Sequence, residues 1–247
     1  MIDIHTHLLP DVDDGSPSYA VSVDVLVEFA VQGVRQVVCT PHLNASQVDS
    51  APYREHVTIL EELQRLTPPG VTLHLGWEIM LDEPGVDLTA PELTLGNSRA
   101  LLVEFTRGGV PRTATSEMRR IARSGRIPIL AHPERYFGCT IDHVRGWREV
   151  GVIIQTDVSV LLSRGAPADL ARTMLAEGLI DVLASDNHGD GRTLAAGHAW
   201  LVEQGLEEHA NLLTRVNAER VLRDEDPLPV PPIRTGIGDR LRRLFGR

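Results

Sequence analysis

Short apolar runs alternate with helical patterns along most of this 247-residue chain. The apolar runs predict strands at residues 2–5, 36–40, 72–75, 100–104, 128–131, 152–155 and 181–184. The stretches between them predict helices at residues 19–32, 53–66, 114–124, 142–149, 167–177 and 193–204. Such alternation is typical of a parallel sheet built from βα units. We therefore predict an α/β fold.

The predicted strands favour a (β/α)7 barrel, since one α/β barrel is about the size of this chain. An open, doubly wound sheet is the structural alternative. Glycine is common just after the end of a helix, and Gly33, Gly125, Gly151 and Gly178 each follow a predicted helix. In a barrel, side chains at the C-terminal ends of the strands lie on one face, where such folds keep their chemistry.

The barrel is expected to occupy residues 1–225, with one or two closing helices over residues 207–223. Residues 224–232 are rich in proline and acidic residues and predict a stiff, extended linker, so that residues 226–247 form a linker and a basic tail. Residues 234–247 carry five arginines against one aspartate. Their apolar residues could line one face of a short amphipathic helix, and a frayed tail is the alternative.

Charge and composition exclude several classes of protein. The net charge of −10 argues against sequence-independent binding to nucleic acid. No apolar run approaches the roughly 20 residues of a membrane span, so we expect no stable membrane insertion. The chain opens on a predicted strand rather than a signal peptide, and its 2 cysteines suit a reducing cytoplasm. All 24 basic residues are arginine, which excludes a P-loop lysine and a carboxylated-lysine metal bridge.

Histidines and acidic residues recur just after the predicted strands. Alternate residues of a strand point to the same face, so the imidazoles of His5 and His7 can bind one metal ion together. The following loop is acidic at positions 11, 13 and 14, and the later strand ends add further imidazoles and carboxylates, which are His42, Glu78, Glu104, His132, Glu134, Asp186, His188 and Asp190. Mixed imidazole and carboxylate ligands suit Mn, Fe or Zn better than Ca. So many ligands exceed the needs of one ion and predict a cluster of two or three.

These motifs together resemble the PHP (polymerase and histidinol phosphatase) superfamily. Within it, they are similar to bacterial manganese-dependent tyrosine phosphatases of the capsule and exopolysaccharide type. The segments that carry the resemblance are Asp3-Ile-His5-Thr-His7, Asp13-Asp14-Gly15, Gln32-Gly33-Val34, Thr40-Pro41-His42, Glu78-Ile79, Leu102-Val-Glu104-Phe105, Ala131-His132-Pro-Glu134-Arg135 and Ala184-Ser-Asp186-Asn-His188. The resemblance implies a PHP-type distorted (β/α)7 barrel with its metal site at the C-terminal ends of the strands.

The resemblance also implies three divalent metal ions, with manganese expected and iron or zinc as alternatives. The implied ligands are His5, His7, Glu78 and Asp186 for the first ion, Glu78, Glu104 and His132 for the second, and Asp14, His42 and His188 for the third. Glu78 would therefore bridge two ions and act in catalysis. Arg135 and Arg192 match the family's phosphate-contacting arginines.

The function implied by the resemblance is that of a cytoplasmic phosphomonoester hydrolase. Its substrate would be a phosphotyrosine protein, namely a membrane-associated bacterial tyrosine kinase of polysaccharide synthesis or export. Hydrolysis would proceed by in-line attack of a metal-bound hydroxide, since such ions supply hydroxide at neutral pH. The rival hypotheses are a histidinol-phosphate phosphatase or other PHP phosphoesterase, an amidohydrolase-type deaminase, and a catalytically silent metal-binding scaffold. The large ligand set argues against the scaffold, and substrate assays would separate the enzymes.

A second phosphatase motif is present by spacing alone. Residues 139–145 fit the C-x5-R pattern of cysteine-dependent tyrosine phosphatases, with Cys139 and Arg145 at its ends. We reject this interpretation, because a phosphate-binding loop turns successive N–H groups inward and favours glycine or small residues. The segment is instead rich in β-branched residues and carries the negative charge of Asp142. Asp142 is predicted as the N-cap of the helix that follows.

The remaining polar residues receive structural interpretations. Histidines in helical patterns are predicted to be solvated surface residues, namely His56, His143, His198 and His209. Asp11 and Asp13 are predicted as caps of the first loop rather than as ligands. His74 lies inside a predicted strand and is interpreted as structural. Glu134 is left open between support of the site and a salt bridge.

Overall fold

Parallel strands form the centre of the molecule. The computed structural model describes residues 1–106 and 108–233. Within them the strands are β1 (Ile2–Thr6), β2 (Gln36–Cys39), β3 (His42–Asn44), β4 (Thr72–Leu75), β5 (Glu78–Met80), β6 (Ala100–Glu104), β7 (Ile127–Leu130), β8 (Ile153–Asp157) and β9 (Val182–Ala184). The pairings between these strands are parallel. The predicted α/β class is confirmed.

Helices connect the strands, as expected for βα units. Those in the described residues are α1 (Tyr19–Val31), α2 (Tyr53–Leu66), α3 (Ala114–Arg123), α4 (Ile141–Glu149), α5 (Val158–Leu162), α6 (Ala166–Ala176), α7 (Leu194–Glu203), α8 (Glu207–Asn211) and α9 (Asn217–Leu222). A π-helical turn at Leu212–Val216 joins α8 to α9. The four glycines predicted after helix ends all have left-handed backbone, with φ from +67° to +89°, a conformation that costs glycine little.

Two of the predicted strands are each followed, after a short break, by a second short strand that the sequence did not predict. The hydrogen-bonded orders are β1-β2-β4 and β3-β5-β6-β7-β8-β9. β2 and β3 are separated by Thr40 and Pro41, and β4 and β5 by Gly76 and Trp77. Pro41 lacks the N–H that a ladder requires, so the strand breaks there. Because β2 pairs with β4 and β3 pairs with β5, each interrupted strand resumes beside the same neighbour.

The C-terminal end of β1 lies beside the segment that follows β9. Thr6 and Asn187 form a parallel bridge. The N–H of His7 donates to Asn187 O at 2.7 Å, and the N–H of Asp186 donates to His5 O at 3.1 Å. These contacts bring the histidines of β1 next to the acidic segment that follows β9.

β1 contains a β-bulge and carries both core residues and site residues. Asp3 pairs with Val37 and Thr6 with Cys39, so β1 advances three residues while β2 advances two. Ile4 joins an apolar cluster, whereas the next residue, His5, belongs to a polar group. Successive side chains of a strand point to opposite faces, which separates Ile4 from His5. That apolar cluster also includes residues of β6, β7, β9 and α9 and supports the strand ends from within.

The proline-rich segment after α9, predicted as a stiff, extended linker, packs against the rest of the fold within the described residues. The Nδ2 of Asn217 donates to Leu228 O, and the N–H of Leu228 donates back to Asn217 Oδ1. Val230 is buried, and the N–H of Ile233 donates to Ala176 O at 2.9 Å. The predicted basic tail, residues 234–247, lies outside the described residues. Among the described helices, none combines the length and apolar character that a membrane span requires.

Candidate metal centre

Side chains from several strand ends surround one cavity of about 610 Å³. Groups of imidazole and carboxylate ligand atoms that lie within 4.8 Å of one another are His7, Asp14, His42 and His188; His5, Glu78 and His132; His5, His7 and Asp186; and His42, Glu78 and Glu104. Together these groups contain every ligand residue predicted from the sequence. The structure therefore brings the complete predicted set to one place.

His5 in β1 and His7 just after it have their Nε2 atoms facing each other. The Nε2 of Gln155 donates to Asp157, so its Oε1 accepts from His5 Nδ1 at 3.0 Å. His7 Nδ1 lies 2.7 Å from Asp13 Oδ2, which can only accept. Both Nδ1 atoms therefore carry hydrogen, and in a neutral ring Nε2 is then an acceptor. The two Nε2 atoms are 3.2 Å apart, a separation that is unfavourable between neutral rings and that either a proton or a metal cation beside both atoms would relieve.

Two carboxylates complete the surroundings of these nitrogens. Glu78 Oε2 lies 3.4 Å from His5 Nε2 and 3.2 Å from His7 Nε2. Asp186 Oδ1 lies 3.3 Å and 3.4 Å from the same two atoms. Ligand bonds of about 2.0–2.2 Å place the ligands of a tetrahedral ion roughly 3.3–3.6 Å apart. The arrangement therefore fits one first-row divalent cation.

Glu78 lies at the centre of the wider cluster. Its Oε1 is 2.7 Å from His132 Nε2, and its Oε2 is 3.0 Å from His42 Nδ1. Glu104 faces the same two rings at 3.6 Å and 3.9 Å. Glu104 Oε1 is buried without a hydrogen-bond partner among the described residues, and the 3.0 Å contact of His42 Nδ1 with Glu78 lacks the geometry of a hydrogen bond. Buried polar atoms need partners, so these two also fit a cation.

A further group lies at the mouth of the cavity. Asp14 Oδ1 is 3.4 Å from His42 Nε2 and 3.5 Å from His188 Nε2. His188 Nδ1 donates to the backbone carbonyl of Asp186 at 3.0 Å, which leaves its Nε2 as an acceptor. Asp14 is largely exposed, whereas His5 and Glu78 are buried. The cluster thus extends from the barrel interior to solvent.

Negative charge dominates the buried part of the cluster. Burial opposes protonation of His5, but Glu78 and Asp186 outweigh it and raise the pKa of its imidazole to about 9. Burial likewise opposes protonation of His7, but its hydrogen bonds to Asp13 and Asp186 outweigh burial and hold the pKa of its imidazole well above the ordinary value. Burial disfavours ionised Glu78, yet the charge of His5 holds the pKa of its carboxyl well below the ordinary range. The site therefore requires positive charge, which protons or metal cations can supply.

Arg135 and Arg192 line the same cavity and share one carboxylate oxygen. Arg135 Nη1 donates to Asp186 Oδ2 at 2.8 Å and to Asp157 Oδ2 at 3.1 Å. Arg192 Nη1 donates to Asp186 Oδ2 at 3.2 Å, while its Nε and Nη2 contact Asp190. Asp186 thus presents Oδ1 to the histidines and Oδ2 to the arginines. Each guanidinium has five N–H donors, so both retain donors for an anionic ligand.

Three residues with supporting roles were missed or undervalued in the sequence. Gln155 and Asp157 stand at alternate positions of β8, a strand to which no site residue was assigned, and contact His5 and Arg135. The signal was available, because their spacing is that of His5 and His7. Asp13 caps its loop by accepting from Gly15 N, as predicted, and also fixes the ring of His7.

Glu134, whose role was left open, supports the site through the backbone. Its Oε1 accepts from the N–H of Asp157 at 2.8 Å. The main chain is also left-handed at His132, with φ 35°, and at Asp186, with φ 50°. Such backbone costs roughly 1–3 kcal/mol per residue outside glycine and clusters at functional sites. A Cβ on Gly15 would lie 2.2 Å from His7 O, so only glycine fits beneath that histidine.

The prediction that the other helical histidines are solvated was wrong for His56 and His209, which are buried. The ring of His56 packs on Trp77 with centroids 4.8 Å apart. His209 Nε2 lies 2.8 Å from Pro231 O, under the proline-rich segment. His198 is half-buried and contacts Thr214. Helical periodicity identifies the faces of a helix, but it does not show which distant segment covers one of them.

The N-cap of α4 was also predicted wrongly. Thr140, not Asp142, caps the helix, and its Oγ1 accepts from His143 N. His143 returns the contact with its ring, and it is exposed, as predicted. Thr140 lies two residues nearer the N-terminus, which leaves Asp142 in the first turn. There its negative charge interacts favourably with the positive end of the helix dipole.

The C-x5-R motif does not form a phosphate-binding loop. Burial and the charge of Glu134 raise the pKa of the Cys139 thiol to about 12, so the reactive thiolate is absent near neutral pH. Arg145 contacts Asp142 and Glu177 rather than a shared anion site. The geometry supports the rejection of this motif made from the sequence.

Substitutions at both ends of the motif should leave activity largely intact. We expect Cys139→Ser and Arg145→Gln each to retain phosphatase activity within a few-fold of the parent protein. The reason is that neither side chain is a member of the imidazole–carboxylate cluster. Initial rates on a small aryl phosphate would test this. A loss of about a thousandfold for Cys139→Ser, the scale of losing a nucleophile, would show that the thiol reacts.

The fold and the cavity together define a class of protein: an α/β protein with parallel strands and clustered imidazoles and carboxylates that could hold metal ions at the strand ends. The chain belongs to the family described as capsular polysaccharide synthesis, CpsB/CapC, whose model matches residues 1–223. The resemblance inferred from the sequence motifs is confirmed.

Relatives with assigned names agree with this membership. Tyrosine-protein phosphatase YwqE of Bacillus subtilis (strain 168) is 28% identical over 268 residues, covering 100% of this chain and 99% of YwqE. Tyrosine-protein phosphatase CpsB of Streptococcus pneumoniae is 30% identical over 201 residues, covering 76% of this chain and 83% of CpsB.

Solved structures give the same result. A structure reported with YwqE from Bacillus subtilis and CpsB from Streptococcus pneumoniae, described as unique metal-dependent tyrosine phosphatases, has a TM-score of 0.73 and 28% identity. The match covers 94% of this chain and 98% of that chain. A 5-methylcytosine deaminase from Klebsiella pneumoniae shares the fold alone, with a TM-score of 0.52 and 11% identity.

Proposed function

We propose that this protein is a metal-dependent protein-tyrosine phosphatase. The observation that carries the proposal is that seven of the nine clustered imidazole and carboxylate residues line one cavity with two arginines, while the buried His5 and His7 contact Glu78 and Asp186 of that lining. The tyrosine-phosphatase names of YwqE and CpsB support the choice of reaction. Phosphate-monoester hydrolysis is among the slowest uncatalysed reactions, so it demands such a concentration of charge.

The proposed cofactors are three divalent ions, with manganese preferred over iron or zinc. The proposed ligands are His5, His7, Glu78 and Asp186; Glu78, Glu104 and His132; and Asp14, His42 and His188. Support comes from ligand-atom contacts of 2.7–3.9 Å within these groups, and from Glu104 Oε1, which has no hydrogen-bond partner among the described residues. The mixture of imidazole and carboxylate favours manganese, iron or zinc over calcium. When bound, such ions supply a nucleophilic hydroxide at neutral pH and neutralise phosphoryl charge.

The protein's own groups bind and orient the substrate. Arg135 and Arg192 would hold the phosphoryl oxygens, since a guanidinium matches a phosphate with two parallel N–H donors. Gln155 and Asp13 keep hydrogen on the Nδ1 atoms of His5 and His7, so that both Nε2 atoms stay available. The phenolate leaving group has a pKa of about 10 and therefore departs without a strong general acid.

We further propose that the substrate is a phosphotyrosine protein in the cytoplasm, a membrane-associated bacterial tyrosine kinase of polysaccharide synthesis or export. Membership of the capsular polysaccharide synthesis family supports this substrate. The test compares a phosphotyrosine peptide of such a kinase with histidinol phosphate, using protein loaded with Mn²⁺. We expect a higher kcat/KM for the peptide. A preference for histidinol phosphate would replace the proposal with a small-molecule phosphoesterase.

Arginine variants test the phosphate contacts. We expect Arg135→Ala and Arg192→Ala each to lose roughly 2–4 kcal/mol of transition-state stabilisation, the scale of one preorganised donor. Metal content should stay at the parent level, because Asp186 keeps its Oδ1 toward the histidines and one arginine on its Oδ2. The measurement is kcat/KM together with elemental analysis.

The matched control for these variants is Arg164→Ala, at an exposed arginine outside the cavity lining. It should change neither rate nor metal content. If Arg135→Ala lost metal in proportion to activity, Arg135 would act through Asp186 rather than on phosphate. Unchanged kinetics in both Arg135→Ala and Arg192→Ala would show that neither arginine contacts the substrate.

A further inference from the structure

Phe137 is exposed in an unusual place for a phenylalanine. Its side chain is 88% exposed, yet it lines the same cavity as the proposed metal ligands and Arg135. Large apolar side chains at the edge of a polar cavity are typical of ligand contact sites. Tyr136 and Phe105, its aromatic neighbours in the cavity wall, are buried and pack on each other with ring centroids 5.2 Å apart.

The backbone holds Phe137 in a fixed position. The N–H of Cys139 donates to Tyr136 O at 3.1 Å, which closes a β-turn over residues 136–139. Gly138 at its third position has φ +75°, as a type II turn requires, and Phe137 occupies the outer corner. The Tyr136 hydroxyl anchors the turn by donating to Ala131 O and accepting from Phe105 N.

A second loop supports the turn from the side. A Cβ on Gly109 would lie 2.7 Å from Phe137 O, so only glycine permits this approach. Gly108 and Gly109 also line the cavity, and neither has a side chain that could cover the ring. Among the described residues, the Phe137 side chain is thus left largely uncovered in the lining of the cavity.

We infer that Phe137 is a specificity-determining residue that stacks against the aromatic ring of an aryl phosphate. This inference rests on the proposed function and deepens it. His132, Arg135 and Phe137 follow one another along a single loop. We assign His132 to a metal ion, Arg135 to the phosphate and Phe137 to the aromatic ring of the substrate. An alkyl phosphate gains nothing from this contact, so Phe137 would favour phosphotyrosine over phosphoserine.

The test uses binding as well as turnover. The ligands are phenylphosphonate, which carries the ring, and inorganic phosphate, which does not, with calorimetry on Mn²⁺-loaded protein. A stacked ring contributes about a tenfold gain in affinity. We expect Phe137→Ala to lose about tenfold in affinity for phenylphosphonate and nothing for phosphate, with Phe137→Tyr close to the parent protein. The KM for a phosphotyrosine peptide should rise by a similar factor while kcat changes little.

The matched control is Val31→Ala, at an apolar side chain of α1 that is 84% exposed and outside the cavity. Equal affinity changes for both ligands, or no change for either, would overturn the inference. Phe137→Ala could instead change the oligomeric state and leave the ratio of the phenylphosphonate and phosphate affinities unchanged. That result would assign the ring to a subunit contact and would likewise overturn the inference. If the parent protein failed to hydrolyse phosphotyrosine, the proposed function would fail, and the calorimetric comparison would still decide the role of Phe137.

Discussion

Removal of divalent cations will abolish hydrolysis of a phosphotyrosine peptide, and Mn²⁺ will restore it best. The expected loss is about a thousandfold or more, since cations contribute several kcal/mol of transition-state stabilisation and each 1.36 kcal/mol is about tenfold in rate. The structural reason is that Nε2 atoms of His5 and His7 face each other at 3.2 Å, an arrangement that has no favourable hydrogen bond between neutral rings. The measurement is rate against metal content after chelation and readdition.

The same titration has a second readout in stability. A cation that binds only the folded state raises the free energy of unfolding by mass action, so the melting temperature should fall on chelation and recover with Mn²⁺. The control is chelator added with excess Mn²⁺, which should change neither rate nor melting temperature. Full activity in protein from which the metal has been removed would refute the metal-dependent mechanism.

Glu78→Gln should cause the second large loss. Glu78 is buried, and its two oxygens lie within 3.4 Å of nitrogens on four histidines, which are His5, His7, His42 and His132. Glutamine keeps the shape but removes the charge that balances the cations. We expect activity to fall about a thousandfold, several kcal/mol by the same conversion. Metal content should fall with it, because one side chain is proposed to serve two ions.

The control for this substitution is Glu83→Gln, a nearby exposed glutamate outside the ligand groups. It should keep the metal content and the rate of the parent protein. Circular dichroism would establish that Glu78→Gln remains folded. Parent-level metal content in Glu78→Gln would contradict the proposed bridge, whatever its effect on rate.

The carboxylates of the cluster favour positive charge on the histidines beside them. Burial opposes charge on His5, but its neighbouring carboxylates raise the pKa of the imidazole to about 9. Protons and cations therefore compete for the same Nε2 atoms, because a protonated ring has no lone pair to offer. Asp186 connects this competition to substrate binding, since its other oxygen accepts from both Arg135 and Arg192.

Local patterns in the sequence predicted much of the barrel. The strand and helix periods identified the parallel α/β class, and left-handed glycines follow the helices where predicted. Two short strands, β3 and β5, were missed because Pro41 and the Gly76-Trp77 pair break the apolar runs. The bulge in β1 was also invisible, since it depends on the register against β2.

The site residues also divide into those that local sequence patterns revealed and those that only the fold revealed. His5 and His7 were recognised because their spacing on a strand is itself informative, whereas Gln155 and Asp157 have the same spacing but commoner residue types. Only the fold shows that Gln155 faces His5, which lies 150 residues away in the sequence. Glu134 remained open for a similar reason, because its partner is the backbone of β8.

The sequence by itself determined the chemical groups of the site and their placement at strand ends, because side-chain identity and strand periodicity are local properties. Only the tertiary structure decided which groups meet. It decided that Asp186 turns one oxygen to the histidines and one to the arginines. It also decided that His209 is covered while Phe137 stays exposed. Burial and contact arise from segments that are distant in the chain, and their packing is a property of the whole fold.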